Sequence, residues 1–157
     1  MARIRFNPIP TEDAERLWAG QCDAHGLKPE RQVSDGVGVP CRHCLEIVAE
    51  GEPYLVLAYR PFPEAQPYAE IGPIFLHAEP CRAYSDGPRT PAIFLAGEPR
   101  IVRAYDRDNR IIYGTGKVVE PQSIASYAGG LLDNPEAAYV HVRSSQNNCF
   151  TCRIDRA

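Results

Sequence analysis

Four residues set the tightest limit on how this chain can fold. Cys41 and Cys44 stand two residues apart in Pro40-Cys-Arg-His-Cys44, and His77 and Cys81 stand four apart in His77-Ala-Glu-Pro-Cys81. Three thiolates and one imidazole suit a tetrahedral Zn²⁺. The Cys-x-x-Cys pair fits a tight knuckle whose sulfurs converge on one ion, and Pro40 stiffens it. His77 and Cys81 would share one face if the chain turned helical there. A fold that closes this site must bring two ends of a long segment together, from about residue 37 to about residue 84. His43 offers a second imidazole, but inside a knuckle its ring is expected to point away.

Length and charge bound the remainder. At 157 residues and 44% hydrophobic, the chain can bury a core as one domain, residues 1–157. Its net charge of −3 supplies no general attraction to nucleic acid or to an anionic membrane. No apolar run approaches a membrane span, and the first residues lack the apolar core of a signal peptide. We therefore expect a cytoplasmic protein. In that compartment its six cysteines read as metal ligands, buried residues or reactive thiols rather than disulfides.

Periodicity predicts short helices on an antiparallel or mixed sheet, an α+β fold. Residues 3–6 alternate as a half-buried strand, and Thr11 is placed to cap a helix carrying Ala14, Leu17 and Trp18 on one stripe. Residues 21–38 show no periodicity and read as a long surface loop that holds Cys22 and His25. Tyr54 to Tyr59 is the strongest strand, apolar on both faces and so central. A proline-rich crossing follows, with Pro61, Pro63 and Pro67, before a strand at residues 74–76 delivers His77. A short helix is predicted over Ala92–Ala96, with Thr90-Pro91 as its cap and start. A hairpin pairs residues 101–105 with a strand running from Arg110 to Val119, and a helix spans Gln122–Leu132. Two strands close the chain, Ala138–Ser144 and Cys149–Asp155.

Register in that last hairpin follows from burial. Opposing Val142 to Cys152 gathers Val140, Val142, Phe150, Cys152 and Ile154 on one apolar face, whereas a one-residue slip mixes valine with arginine. Tyr139, His141, Arg143, Cys149, Thr151 and Arg153 then line a polar face. Cys149 and Cys152 point oppositely on a straight strand, so their two-residue spacing is no metal signal. His141, Arg143, Cys149 and Arg153 become candidates for binding an anionic group, with Cys149 beside arginines that would favour its thiolate.

Knuckle, strand, strand and a second ligand pair are the layout of a treble-clef zinc finger, which this segment resembles. It departs from that pattern at Leu45, where a knuckle often has glycine, and in its long intervening loop. The pieces Pro40-Cys-x-x-Cys44 and His77-Ala-Glu79 also resemble the two halves of zinc nucleobase deaminases, in reverse order. That resemblance implies a zinc-bound water and proton transfer by Glu79, against which Cys81 stands ready to fill the open position. The whole chain, through Arg3-Ile-Arg-Phe6, Pro40-Cys-Arg-His-Cys44, Gly72-Pro-Ile-Phe-Leu-His77, Tyr113-Gly-Thr-Gly116 and Tyr139-Val-His-Val-Arg143, resembles a small family catalogued as domain of unknown function number 1203. The resemblance implies a bacterial cytosolic protein and carries no activity. We expect a structural zinc site on Cys41, Cys44, His77 and Cys81 in a module that binds a small anionic ligand or a protein partner. The alternative is an enzyme, either a zinc hydrolase using Glu79 or a thiol enzyme pairing Cys149 with His141.

Overall fold

The computed structural model describes residues 1–85 and 87–157. The strand-forming stretches assemble two antiparallel sheets. Strands β1 (Ile4–Asn7), β5 (Arg100–Tyr105), β6 (Lys117–Val119), β7 (Tyr139–Ser144) and β8 (Phe150–Arg156) build the larger one, in the order β1-β8-β7-β5-β6. The smaller is a meander of β2 (Glu30–Val33), β3 (Pro53–Tyr59) and β4 (Gly72–His77), with β3 in the centre as its two-sided apolar sequence requires. Three short helices complete an α+β fold: α1 (Thr11–Trp18), α2 (Ala92–Leu95) and α3 (Ile124–Leu132), the last entered through a 3₁₀ turn at Pro121–Ser123. No helix among the described residues is long and apolar enough to cross a membrane.

Burial explains the two layers. The apolar residues of α3 (Ile124, Ala128 and Leu132) pack with Val102, Ala104, Val140, Val142, Cys152 and Ile154 on one face of the larger sheet. A second cluster joins Ala14 and Leu17 of α1 to Leu55, Leu57, Ile74 and Leu76 of the smaller sheet, and it includes Cys41, Cys44 and Phe150. Phe150 thus belongs to both layers: its strand is in the larger sheet and its ring is in the core of the smaller one.

Several expectations change. The stretch 21–38 is not all loop, since β2 pairs with β3 from Glu30↔Val56 to Val33↔Pro53. Every residue of β2 is exposed, so this edge strand is made by backbone pairing and leaves no hydrophobic period. Within the same stretch, the Asp23 carboxylate accepts from the amides of His25, Leu27 and Ala58, which fastens the loop to β3. Helix α1 is capped by the Pro10 position with no side-chain hydrogen bond, and Thr11 is already helical. Likewise Pro91, not Thr90, precedes α2. The strand expected over 110–119 is reduced to a single bridge at Ile111 and to β6.

The register of the terminal hairpin is as expected, with Val142 opposite Cys152. Its faces differ in two ways. A bulge follows, because Arg143 pairs with Phe150 and Thr151 is the extra residue. The bulge rotates Phe150 onto the His141 side, where the two rings lie 4.8 Å apart. The face expected to be polar and wet is also covered. All six residues of β7 are buried, because the proline-rich crossing lays Phe62 over His141 and Tyr105.

Candidate metal centre

The first half of the site is a knuckle built by the backbone. The Leu45 amide donates to the Cys41 carbonyl and the Cys41 amide to the Glu46 carbonyl, both at 2.9 Å. Pro40 bridges Ile47 across the turn. Reversing the chain so tightly puts Leu45 at φ 56°, the left-handed region that glycine adopts most easily. Leucine holds that position because its side chain, 1% exposed, is buried in the core beneath the larger sheet beside Phe6 and Phe94. The departure from glycine is therefore a plug that ties the knuckle to the main core.

The second half arrives on β4. A parallel bridge between Cys41 and Phe75 sets β4 beside the knuckle, and the Arg42 amide donates to the Phe75 carbonyl at 3.0 Å. His77, the last residue of β4, then faces the cysteines. The chain from Ala78 to Tyr84 is irregular, so the second ligand pair does not open a helix as a treble clef would. Cys81 returns through this irregular turn instead.

Cys41, Cys44, His77 and Cys81 converge, their ligand atoms all within 4.8 Å of one another. The sulfurs of Cys41 and Cys81 are 3.8 Å apart, and Cys44 Sγ is 3.5 Å from His77 Nδ1. A tetrahedron drawn with ordinary zinc–sulfur and zinc–nitrogen bonds has edges of about 3.8 Å and about 3.6 Å for these two pairs. The donors thus fit a metal ion and are consistent with zinc. Cys41 and Cys44 are buried and Cys81 is half-buried. Hydrogen bonds from the Cys44 and Cys81 thiols pull the Cys41 pKa far down, while the same sharing pushes Cys44 up to about 12 and Cys81 higher still. Three thiolates this close need either protons or a cation among them, so metal binding must release protons.

Supporting contacts surround the donors. The amide of His77 donates to Cys41 Sγ at 3.4 Å. His77 Nε2 lies 3.6 Å from the Glu52 carboxylate, which directs Nδ1 toward the sulfurs. His43 is not one of the four, yet its Nδ1 comes within 3.3 Å of Cys81 Sγ and its Nε2 meets the Thr11 hydroxyl at 2.9 Å. Trp18 braces both sides, donating from Nε1 to the His77 carbonyl at 2.8 Å with its ring edge-on to His43. The His43 ring, expected to point away from the knuckle, turns toward Cys81 instead, and Glu52 and Thr11 are the contributors that sequence reasoning missed. Only tertiary geometry brings them to the site.

Glu79 is directed elsewhere. It is 72% exposed and meets Arg31 at 3.2 Å, and it does not line the cleft beside the cluster. The other candidates are dispersed. His141 is buried among Phe62, Tyr105, Tyr139 and Phe150, and neither ring nitrogen has a hydrogen-bond partner among the described residues. It therefore forms no dyad with Cys149. Burial, followed by the charges of Arg143, Arg153 and Arg103, depresses its pKa well below the usual range. Arg143 is buried and pairs with Glu70 at 3.0 Å, and Arg153 lies over the Tyr139 ring and pairs with Asp155. Cys149 borders a different cleft, with Arg42 and Arg100. Cys152 is core, its thiol pushed up by burial, and Cys22 is exposed.

Fold and site together define a small α+β chain with a Cys3His cluster able to hold a metal ion. The chain belongs to the family described as Protein of unknown function (DUF1203), whose family model matches residues 38–156 and so includes all four donors. The Arg3-Ile-Arg-Phe6 segment lies outside that match. Searches of curated proteins and of solved structures find no match to the chain.

Proposed function

We propose that this chain is a single-domain cytoplasmic protein in which zinc has a structural role, held by Cys41, Cys44, His77 and Cys81, and that it binds a small anionic ligand. The observation that supports the metal reading is the closed donor set: four possible protein ligands whose donor atoms all lie within 4.8 Å of one another, so that Cys81 would fill the position that a hydrolytic zinc leaves to water. Zinc would supply cross-linking here, joining the knuckle to the end of β4. A carboxylate suited to proton transfer would have to face that position, and Glu79 pairs with Arg31 instead. The absence of a basic surplus argues against nucleic acid as the partner.

Elemental analysis of protein purified without metal-chelating resin tests the metal reading. The expected result is about one zinc per chain, with X-ray absorption showing three sulfurs and one nitrogen around it. A chain with no bound metal would overturn it, as would a zinc with fewer than three sulfurs.

A further inference from the structure

We infer that the cleft between the knuckle and the loop joining β7 to β8 binds the oxyanion group of a small carboxylate or phosphate ligand, held by Arg42 and Arg100 with Cys149 at its edge. This rests on the anion-binding reading above and gives it a site. The cleft has a volume of about 710 Å³, and its polar lining includes Arg42, Arg100, Ser144, Asn147, Cys149 and Thr151.

Arg42 is the central observation. It is 4% exposed, and no carboxylate pairs with it among the described residues. Its Nε donates to the Phe150 carbonyl and its Nη1 to the Pro40 carbonyl, both at 2.7 Å, which fixes the guanidinium plane. Its guanidinium carbon lies over Phe75, 5.6 Å from the ring centre. No hydrogen bond from Nη2 is made among the described residues. Arg100 adds a second guanidinium, whose Nε is buried without a partner. Glu98 is the one acidic residue lining the cleft, and its Oε1 is already shared by Arg100 at 3.3 Å and the Ser144 hydroxyl at 3.2 Å. Two cations therefore face one committed carboxylate. A guanidinium taken out of water without a counter-charge, as Arg42 is, is costly, and its uncommitted Nη2 beside a second guanidinium suits an oxygen of a carboxylate or phosphate. Arg42 lies between two of the metal donors, so closure of the knuckle also holds this contact in place.

Cys149 supplies the test. Neutral iodoacetamide and anionic iodoacetate alkylate the same thiol, so the ratio of their rates, assigned by mass spectrometry, reads local attraction for an anion. The iodoacetate-to-iodoacetamide ratio at Cys149 should exceed that at exposed Cys22 by at least about tenfold. It should fall toward the Cys22 value in Arg42→Gln and in Arg100→Gln. At constant ionic strength, inorganic phosphate or acetate should slow labelling of Cys149, and whichever protects identifies the ligand's anionic group. Equal ratios at the two cysteines with no protection by either anion overturn the inference. So does an Arg42→Gln chain that loses metal affinity but keeps its selectivity, since Arg42 would then serve only the thiolates. If Arg42→Gln does not fold, Arg100→Gln decides alone, because it leaves the knuckle's hydrogen bonds intact. An anion that raises the thermal midpoint while leaving Cys149 unshielded would move binding elsewhere, keeping the anion reading and rejecting this cleft.

Discussion

Leu45 sets two opposing effects against each other, and two substitutions separate them. Leu45→Ala empties a fully buried position and keeps the left-handed backbone, a change that costs about 3 kcal/mol at buried leucines. Leu45→Gly removes one carbon more, worth about 0.8 kcal/mol, and gives the unfolded chain about 0.5–1 kcal/mol of extra freedom. At an ordinary backbone angle glycine would thus be about 1.5 kcal/mol worse than alanine. At φ 56° glycine escapes a penalty of about 1–2 kcal/mol that alanine retains. The two variants should therefore be equally stable to within about 0.5 kcal/mol, each about 3 kcal/mol below the parent. Urea unfolding with buffered zinc and a reductant measures this, followed by the fluorescence of Trp18, the sole tryptophan, which contacts the metal centre. With a slope of about 2 kcal/mol per molar, both midpoints should drop by about 1.5 M. A glycine variant more than about 1 kcal/mol below alanine would refute the left-handed geometry, and an alanine cost under about 1 kcal/mol would refute the plug.

Acid sensitivity should involve His141. Its folded pKa is depressed, so below the ordinary value near 6.5 the unfolded chain takes up a proton that the folded chain refuses, and stability falls with pH. Between pH 7 and pH 5 this one group can remove at most about 2 kcal/mol, the limit set by the unfolded value, and His141→Leu should lose less stability than the parent over that range in parallel denaturant titrations. Glu52→Gln should lower zinc affinity about tenfold in competition with a chromophoric chelator, through the tilt of His77, while Glu79→Gln leaves it unchanged. Cys44→Ser opens the donor set, so segmental hydrogen exchange should show protection lost over residues 37–84 before it is lost in β7 and β8. Uniform loss would mean that the metal holds the whole fold.

What could be read from the sequence was what chemistry or local pattern dictates. Cysteine and histidine spacing singled out the four residues that converge, because few residue types bind zinc and each short spacing holds its own pair together. Alternation identified β1 and β7, a run apolar on both faces identified β3, and the cost of burying arginine fixed Val142 opposite Cys152. Contributions made by distant contacts left no local trace. The bulge at Thr151 lacks a glycine to announce it, yet it turns Phe150 to the other side. The charged residues of β7 looked solvated because their cover, Phe62 and Glu70, comes from a crossing far away in the chain. The anion-facing arginines expected beside Cys149 were Arg143 and Arg153, but folding puts Arg42 and Arg100 there. Thr11 was assigned to a helix cap, and its hydroxyl holds His43 instead.

The family match begins at residue 38, but the physical unit does not. Strand β1 pairs with β8 from Ile4↔Arg156 to Asn7↔Arg153, which shields what would otherwise be an open sheet margin. A chain started at Gly38 would lose that shield along with the Thr11 and Trp18 contacts to the metal centre. Its β8 would present unpaired backbone donors and acceptors flanked by Ile154 and Cys152, a template for joining strands between molecules. Truncation at the family boundary should therefore convert a monomer-compatible sheet into a self-associating one, and the loss of β2 from β3 would open a second edge beside the first.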